Sequence, residues 1–266
     1  MAVGVALFAW WLLTTSLGRR ALADSRPRRN SMMLPLPFLV FFVWLTGTTI
    51  LAALARLYTD RLEEWKGIFL GSLIPTAGSL ATVVLVLAVA RFTFVRGLKG
   101  FGLRLKTIPR DLARALLTLA AVWPLVMAMM SLTILVMKYL DRSFEVPQHE
   151  ALQVITESGS IPLQVLMVVL AVVVAPLVEE LMFRGLFQSM IRSYLGRPWP
   201  AIAVTSVLFA AIHSNPEHWP ALFVLAMGLG YSYERSGSLF RPIFMHAMFN
   251  GVTIAAALAE SAPTGV

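Results

Sequence analysis

Residues able to do chemistry are concentrated in the second half of the chain: Glu179, Glu180 and Arg184 in VEELMFRG, His213 at the end of FAAIH, and His246 with Asn250 in HAMFN. Each group lies in or beside an apolar run. An ionisable side chain there costs roughly 2.5 to 3.5 kcal/mol to insert into a bilayer, so it is expected to be paired, turned into the bundle and functional. On a helix continuing from Pro176, Glu180 and Arg184 lie about 40° apart around the axis, in the favourable Glu-to-Arg order, and are expected to neutralise one another. Glu179 projects about 100° away from Glu180 and is left for a different neighbour. The plain alternative is a helix-end cluster that snorkels to the interface.

Phe209 and His213 are four residues apart, as are His246 and Asn250, so each pair shares one face of its own helix. Three helices thereby offer a carboxylate, two imidazoles and an amide to a common interior. A carboxylate and a neutral imidazole can share the work of a general base on water. A second imidazole and an amide are donors of the kind that stabilise the oxyanion of a tetrahedral intermediate, often worth about 10²- to 10³-fold per donor. Peptide hydrolysis by an activated water, without a covalent intermediate, is the chemistry expected of this set. Glu179, His213 and His246 also suit a catalytic zinc with an open fourth position. Spacing does not separate the two, although the helical zinc signature HExxH is absent. Serine catalysis is poorly supported, because Ser206 and Ser214 lie in no nucleophile motif and Ser232 has no evident base.

The elements that must position these groups are read from the apolar runs. The chain has 266 residues, 58% hydrophobic and 14% charged, with a mean hydropathy of +0.76, well above a soluble domain. Runs long enough to cross a bilayer recur along nearly the whole length. Bounded by charges, Pro and Gly, they predict eight helices at about 2–17, 34–55, 67–90, 112–138, 161–192, 199–214, 219–233 and 239–259. The expected fold is therefore an all-α polytopic membrane bundle of about eight transmembrane helices, with the site in the last four. Residues 1–150 hold helices one to four with basic cytoplasmic loops, and 151–266 hold helices five to eight, in one integrated membrane domain. The short sixth and seventh runs could instead be half-buried helices lining a cavity. With no cysteine, disulfides, iron–sulfur clusters, thiolate zinc sites and a cysteine nucleophile are excluded.

The formal net charge of +8 is read as basic cytoplasmic loops rather than a nucleic-acid surface. With the N-terminus outside, the inside segments hold Arg19, Arg20, Arg26, Arg28 and Arg29, then seven basic residues from Arg91 to Arg114, then Arg184, Arg192, Arg197, Arg235 and Arg241. Only Arg56, Arg61, Lys66, Lys138 and Arg142 fall outside, among acidic residues such as Glu63, Glu64 and Asp141. Both termini are thus expected away from the cytoplasm. The first run has no basic residue ahead of it and two arginines directly behind, so it reads as a retained anchor. Between Arg91 and Arg114, basic residues alternate with Phe92, Phe94, Phe101, Leu103 and Leu105, which suits a segment lying on anionic headgroups. Gly228, Gly230, Ser232, Gly237 and Ser238 would let the seventh helix approach its neighbours closely. No function is assigned to Gln148, His149 and Glu150.

The polar residues fall into three ordered motifs: EExxxR from Glu179 to Arg184, FxxxH from Phe209 to His213 and HxxxN from His246 to Asn250. In them the sequence resembles the CPBP family of intramembrane proteases, which includes the type II CAAX prenyl endopeptidases and the bacteriocin-processing and immunity (Abi-like) proteins. The stretch MGLGYSYERSGSLFRPIFMH resembles the family's small-residue helix and Gly-Ser-Leu turn, whereas the first half matches nothing specific. The resemblance implies an intramembrane glutamic endopeptidase with no cofactor. Glu179 would activate water with His213, His246 and Asn250 would hold the oxyanion, and Glu180, Arg184 and Phe209 would support them. A membrane protein or peptide is the expected substrate and the bilayer a partner, with no nucleic acid. Compact loops and the absence of a eukaryotic targeting signal point to a bacterial inner membrane. The alternatives are a non-proteolytic scaffold or immunity protein of the same fold and a zinc-dependent protease. A proton-relaying transporter is disfavoured by the motif trio and by the lack of an evident inverted repeat.

Overall fold

The computed structural model describes residues 1–145 and 150–261. Gln148 and His149 lie outside the described residues. The described chain is helical, with one isolated bridge between Asn30 and Phe94. Its helices are α1 (Ala2–Thr14), α2 (Pro35–Thr59), α3 (Glu64–Thr93), the short α4 (Gly97–Phe101), α5 (Ile108–Leu140), α6 (Glu150–Glu157), α7 (Ile161–Leu195), α8 (Pro198–Ala211), α9 (Trp219–Ser236) and α10 (Phe240–Ser261).

Proline opens α2, α5, α7, α8 and α9, where its missing N–H is not needed and its fixed φ suits the first turn. Gly196 and Gly237 close α7 and α9 at φ 66° and 67°, the left-handed cap that a side chain would oppose. By length and apolarity α2, α3, the run ending in α5, α7 and α10 can cross a bilayer. The first and sixth apolar runs form shorter helices of 13 and 14 residues, below the roughly 17 a straight crossing needs. The first ends at Thr14 because Ser16 and Leu17 adopt positive φ. In α8 one face is buried, including Ala201, Ile202, Thr205, Ser206 and Phe209, as expected of a helix lining an interior.

α5 packs against α1, α9 and α10, while α2 and α3 pair and reach across to α7. In α9 the small residues permit this closeness. A Cβ on Gly228 would stand 2.8 Å from Val122 of α5, and one on Gly230 would stand 2.8 Å from Gln188 and 2.9 Å from Ile202. Gly228→Val is therefore expected to lower stability by about 1–3 kcal/mol through overpacking. Thermal unfolding of the purified protein checks this, and an unchanged midpoint would show that the α5–α9 contact yields without cost.

Segments that the charge pattern assigns to one side do gather at one end of the bundle. Glu234 of α9 receives Arg192 Nε at 3.0 Å and lies 3.5 Å from Arg28 Nη1. Arg28 also donates to the Tyr233 carbonyl and lies over the Tyr233 ring. Tyr233 donates its hydroxyl to the Phe101 carbonyl, and the Leu239 amide donates to Gly102. Asp111, fully buried in the first turn of α5, receives Arg241 of α10 at 3.1 Å. Two buried acids with arginine partners thus tie one loop and four helix ends together, where an unpaired charge would be costly.

A charged cluster buried between three helices

The long helix α7 departs from regular winding twice. Leu170–Val174 and Leu181–Gln188 are π-helical and flank the turn Ala175–Glu180 that ends in the two glutamates. Such wide turns inside α-helices recur at functional sites. Every residue from Glu180 to Met190 is buried, because this part of α7 is enclosed by α2, α3, α8 and α9.

Glu180 has no exposed side-chain surface and its Oε1 accepts two charged or polar donors: Arg184 Nη1 at 2.8 Å and His246 Nδ1 at 2.9 Å. Arg184 is held on two further sides. Its Nη2 donates to the Ala226 carbonyl of α9 at 3.3 Å, and its guanidinium carbon lies 4.5 Å from the centre of the Phe209 ring. The expected Glu180–Arg184 pair is therefore present and carries a third member, the His246 ring, which is 4% exposed.

Glu179 faces elsewhere, as the helical spacing predicts. Its Oε2 is buried, accepts no hydrogen bond among the described residues, and lies 4.0 Å from His246 Nε2. One imidazole thus spans both carboxylates, with Nδ1 on Glu180 and Nε2 towards Glu179. Phe209 stands between the two histidines, its ring centre 5.7 Å from His246 and 4.9 Å from His213. His213 Nδ1 lies 2.8 Å from the Phe209 carbonyl, so that nitrogen carries the proton and Nε2 is the ring's acceptor in the neutral form. Asn250, one turn beyond His246, donates Nδ2 to the Ala171 carbonyl at 2.7 Å. Ala171 belongs to the first π-helical stretch of α7, so the amide ties α10 to the irregular turn.

The structure accordingly brings Glu179, Glu180, Arg184, His246 and Phe209 into one connected group, reaches His213 through the Phe209 ring, and sets Asn250 on the adjoining turn. Sequence reasoning did not find the carbonyls of Ala171 and Ala226 that hold Asn250 and Arg184, nor the Asp111–Arg241 pair at the base of α10. Asp111 did leave a signal, since IPRD combines a first-turn proline with an acid near a helix N-terminus. Among the described residues, no group of three or more His, Cys, Asp or Glu is arranged to hold a metal ion.

Fold and cluster together define a polytopic helical membrane protein with a charged Glu–Arg–His group enclosed by its C-terminal helices. Residues 161–252 match the family described as Rce1-like, type II CAAX prenyl endopeptidase Rce1-like. The match runs from the start of α7 into α10 and contains all three motifs. Searches of curated proteins and of solved structures give no match.

Proposed function

We propose that this protein is an intramembrane endopeptidase that hydrolyses a peptide bond in a membrane-associated protein or peptide, with Glu179 as the carboxylate that activates water. The observation carrying this reading is the buried Oε2 of Glu179, without a hydrogen-bond donor among the described residues and 4.0 Å from His246 Nε2, inside the protease-family segment. A carboxylate oxygen and a ring nitrogen at that separation can both reach a single water.

In this mechanism Glu179, assisted by His213, takes a proton from water as the oxygen attacks the scissile carbonyl. The tetrahedral oxyanion is met by His246 and Asn250. Asn250 spends one amide hydrogen on Ala171 and has a second to donate. Because Nδ1–H is given to Glu180, donation to the oxyanion from His246 Nε2 needs the second ring proton. The proton held by Glu179 then passes to the leaving amine as the C–N bond breaks. Glu180 is a positioning residue that fixes the His246 ring, and Arg184 and Phe209 hold Glu180 and the ring in turn. The basic segments at one end of the bundle support a cytoplasmic location for that end, with both termini opposite, and the composition suits a bacterial inner membrane.

A host carrying Glu179→Gln is expected to lose a set of membrane-protein termini that the wild type produces. The zinc-dependent alternative is tested by elemental analysis of the purified protein and by chelator treatment. The proposed mechanism predicts substoichiometric zinc and unchanged cleavage. One tightly held zinc per chain, with cleavage lost on chelation, would overturn it.

A further inference from the structure

Outside the charged cluster, an open cleft of about 660 Å³ lies at the end of the bundle where the basic segments gather. It lies within the size range of small-ligand sites. Two chain segments far apart in sequence form it, and the backbone joins them. The Ser31 amide donates to the Thr93 carbonyl at 2.9 Å, the Val95 amide donates to the Arg29 carbonyl at 3.1 Å, and Asn30 bridges to Phe94. The platform is anchored below. Phe94 is buried edge-on against Phe101, whose ring in turn fills the notch left by Gly185 of α7.

The lining of this cleft has two characters. Arg29 and Arg91 are exposed on it, neither guanidinium forms an ion pair among the described residues, and none of the lining residues is acidic. Gly97, at φ +53°, leaves room for the arginine stem, since a Cβ there would stand 3.3 Å from Arg91 Cδ. Beside the two cations, Phe92 is 83% and Val95 67% exposed. Apolar side chains this exposed, next to arginines at the last turn of a membrane-spanning helix, belong at the boundary between acyl chains and headgroups.

We propose that the Arg29–Arg91 cleft is a binding site for one anionic phospholipid, with the two guanidinium groups on its phosphodiester and Phe92 and Val95 against its acyl chains. Arginine suits the phosphodiester because its planar fork donates two hydrogen bonds at once. Basic pockets at this depth hold anionic headgroups, each cation strengthening binding severalfold. A soluble phosphate would use the arginines alone and leave the two apolar side chains without a partner. The site does not rest on the proteolytic reading of the charged cluster.

The test is a binding titration of the detergent-purified protein with dioctanoyl phosphatidylglycerol, dioctanoyl phosphatidylcholine and inorganic phosphate. Wild type is expected to bind the phosphatidylglycerol saturably and the phosphatidylcholine at least tenfold more weakly, with no displacement by millimolar phosphate. R29Q/R91Q should bind phosphatidylglycerol roughly 30-fold more weakly, whereas R19Q/R20Q should bind as wild type. Should the double variant unfold, R29Q and R91Q singly are each expected to lose about fivefold. Equal affinity for both lipids, displacement by phosphate, or undiminished binding by the arginine variants would overturn the proposal.

Discussion

Arg184→Met is expected to destabilise the protein by about 3–5 kcal/mol, the typical cost of removing one member of a buried ion pair. Arg184 is 1% exposed and Glu180 not at all, so no solvent is at hand to replace the lost partner. The substitution removes the 2.8 Å bond to Glu180, the donation to Ala226 and the contact with the Phe209 ring, while methionine approximates the aliphatic stem. Much of the loss should come from the carboxylate left behind rather than from the missing contacts. Glu180→Gln combined with Arg184→Met is therefore expected to recover a substantial part of it, and the coupling is measured by a double-mutant cycle. Unfolding of the single variant within about 1 kcal/mol of wild type would show that Glu180 does not depend on Arg184 for its charge balance.

What the sequence discloses about this cluster is the part that depends on one helix at a time. Glu180 and Arg184 meet because four residues return to the same face, and Glu179 turns away for the same reason. His246 could be placed on a polar helix but its partners could not. Whether its two nitrogens meet one carboxylate or both depends on how α10 crosses α7, and the structure gives both. The π-helical stretches of α7 left no trace in the pattern. A change of winding is legible only where polar and apolar residues alternate in phase, and LAVVV is apolar throughout. Asp111 was missed by a boundary. With the fourth helix starting at 112 it falls in a loop, whereas α5 begins at Ile108 and carries it into contact with Arg241.

The charge pattern reaches further along the chain because it asks less of it. It requires only that segments share an end, and Arg28, Arg192 and Glu234 do. Lengths were less well served. Apolar composition alone does not separate a helix facing lipid from one enclosed by neighbours, which is why α8 reads as a span yet is only 14 residues long. The first half of the chain carries no motif, but α5 packs on α9 and α10 and so fixes the helix that bears His246.

Glu179→Gln is expected to remove proteolysis with little change in stability. Glutamine keeps the shape of the side chain and cannot accept the proton from water, a role typically worth about 10²- to 10⁴-fold in rate. Because Glu179 Oε2 accepts no hydrogen bond among the described residues, its replacement breaks none there and should leave stability within about 1 kcal/mol of wild type. His246→Ala should lower cleavage by about 10²- to 10³-fold through loss of an oxyanion donor, but should also destabilise, since it strips Glu180 of one of its two partners. That difference makes position 179 the cleaner probe of chemistry. Quantitative profiling of membrane-protein termini in cells producing equal amounts of the wild-type chain or Glu179→Gln is the decisive measurement. A defined set of new termini present with wild type and absent with the variant is the predicted result; indistinguishable terminal profiles, with both proteins folded in the membrane, would contradict the assignment of Glu179 as the catalytic carboxylate.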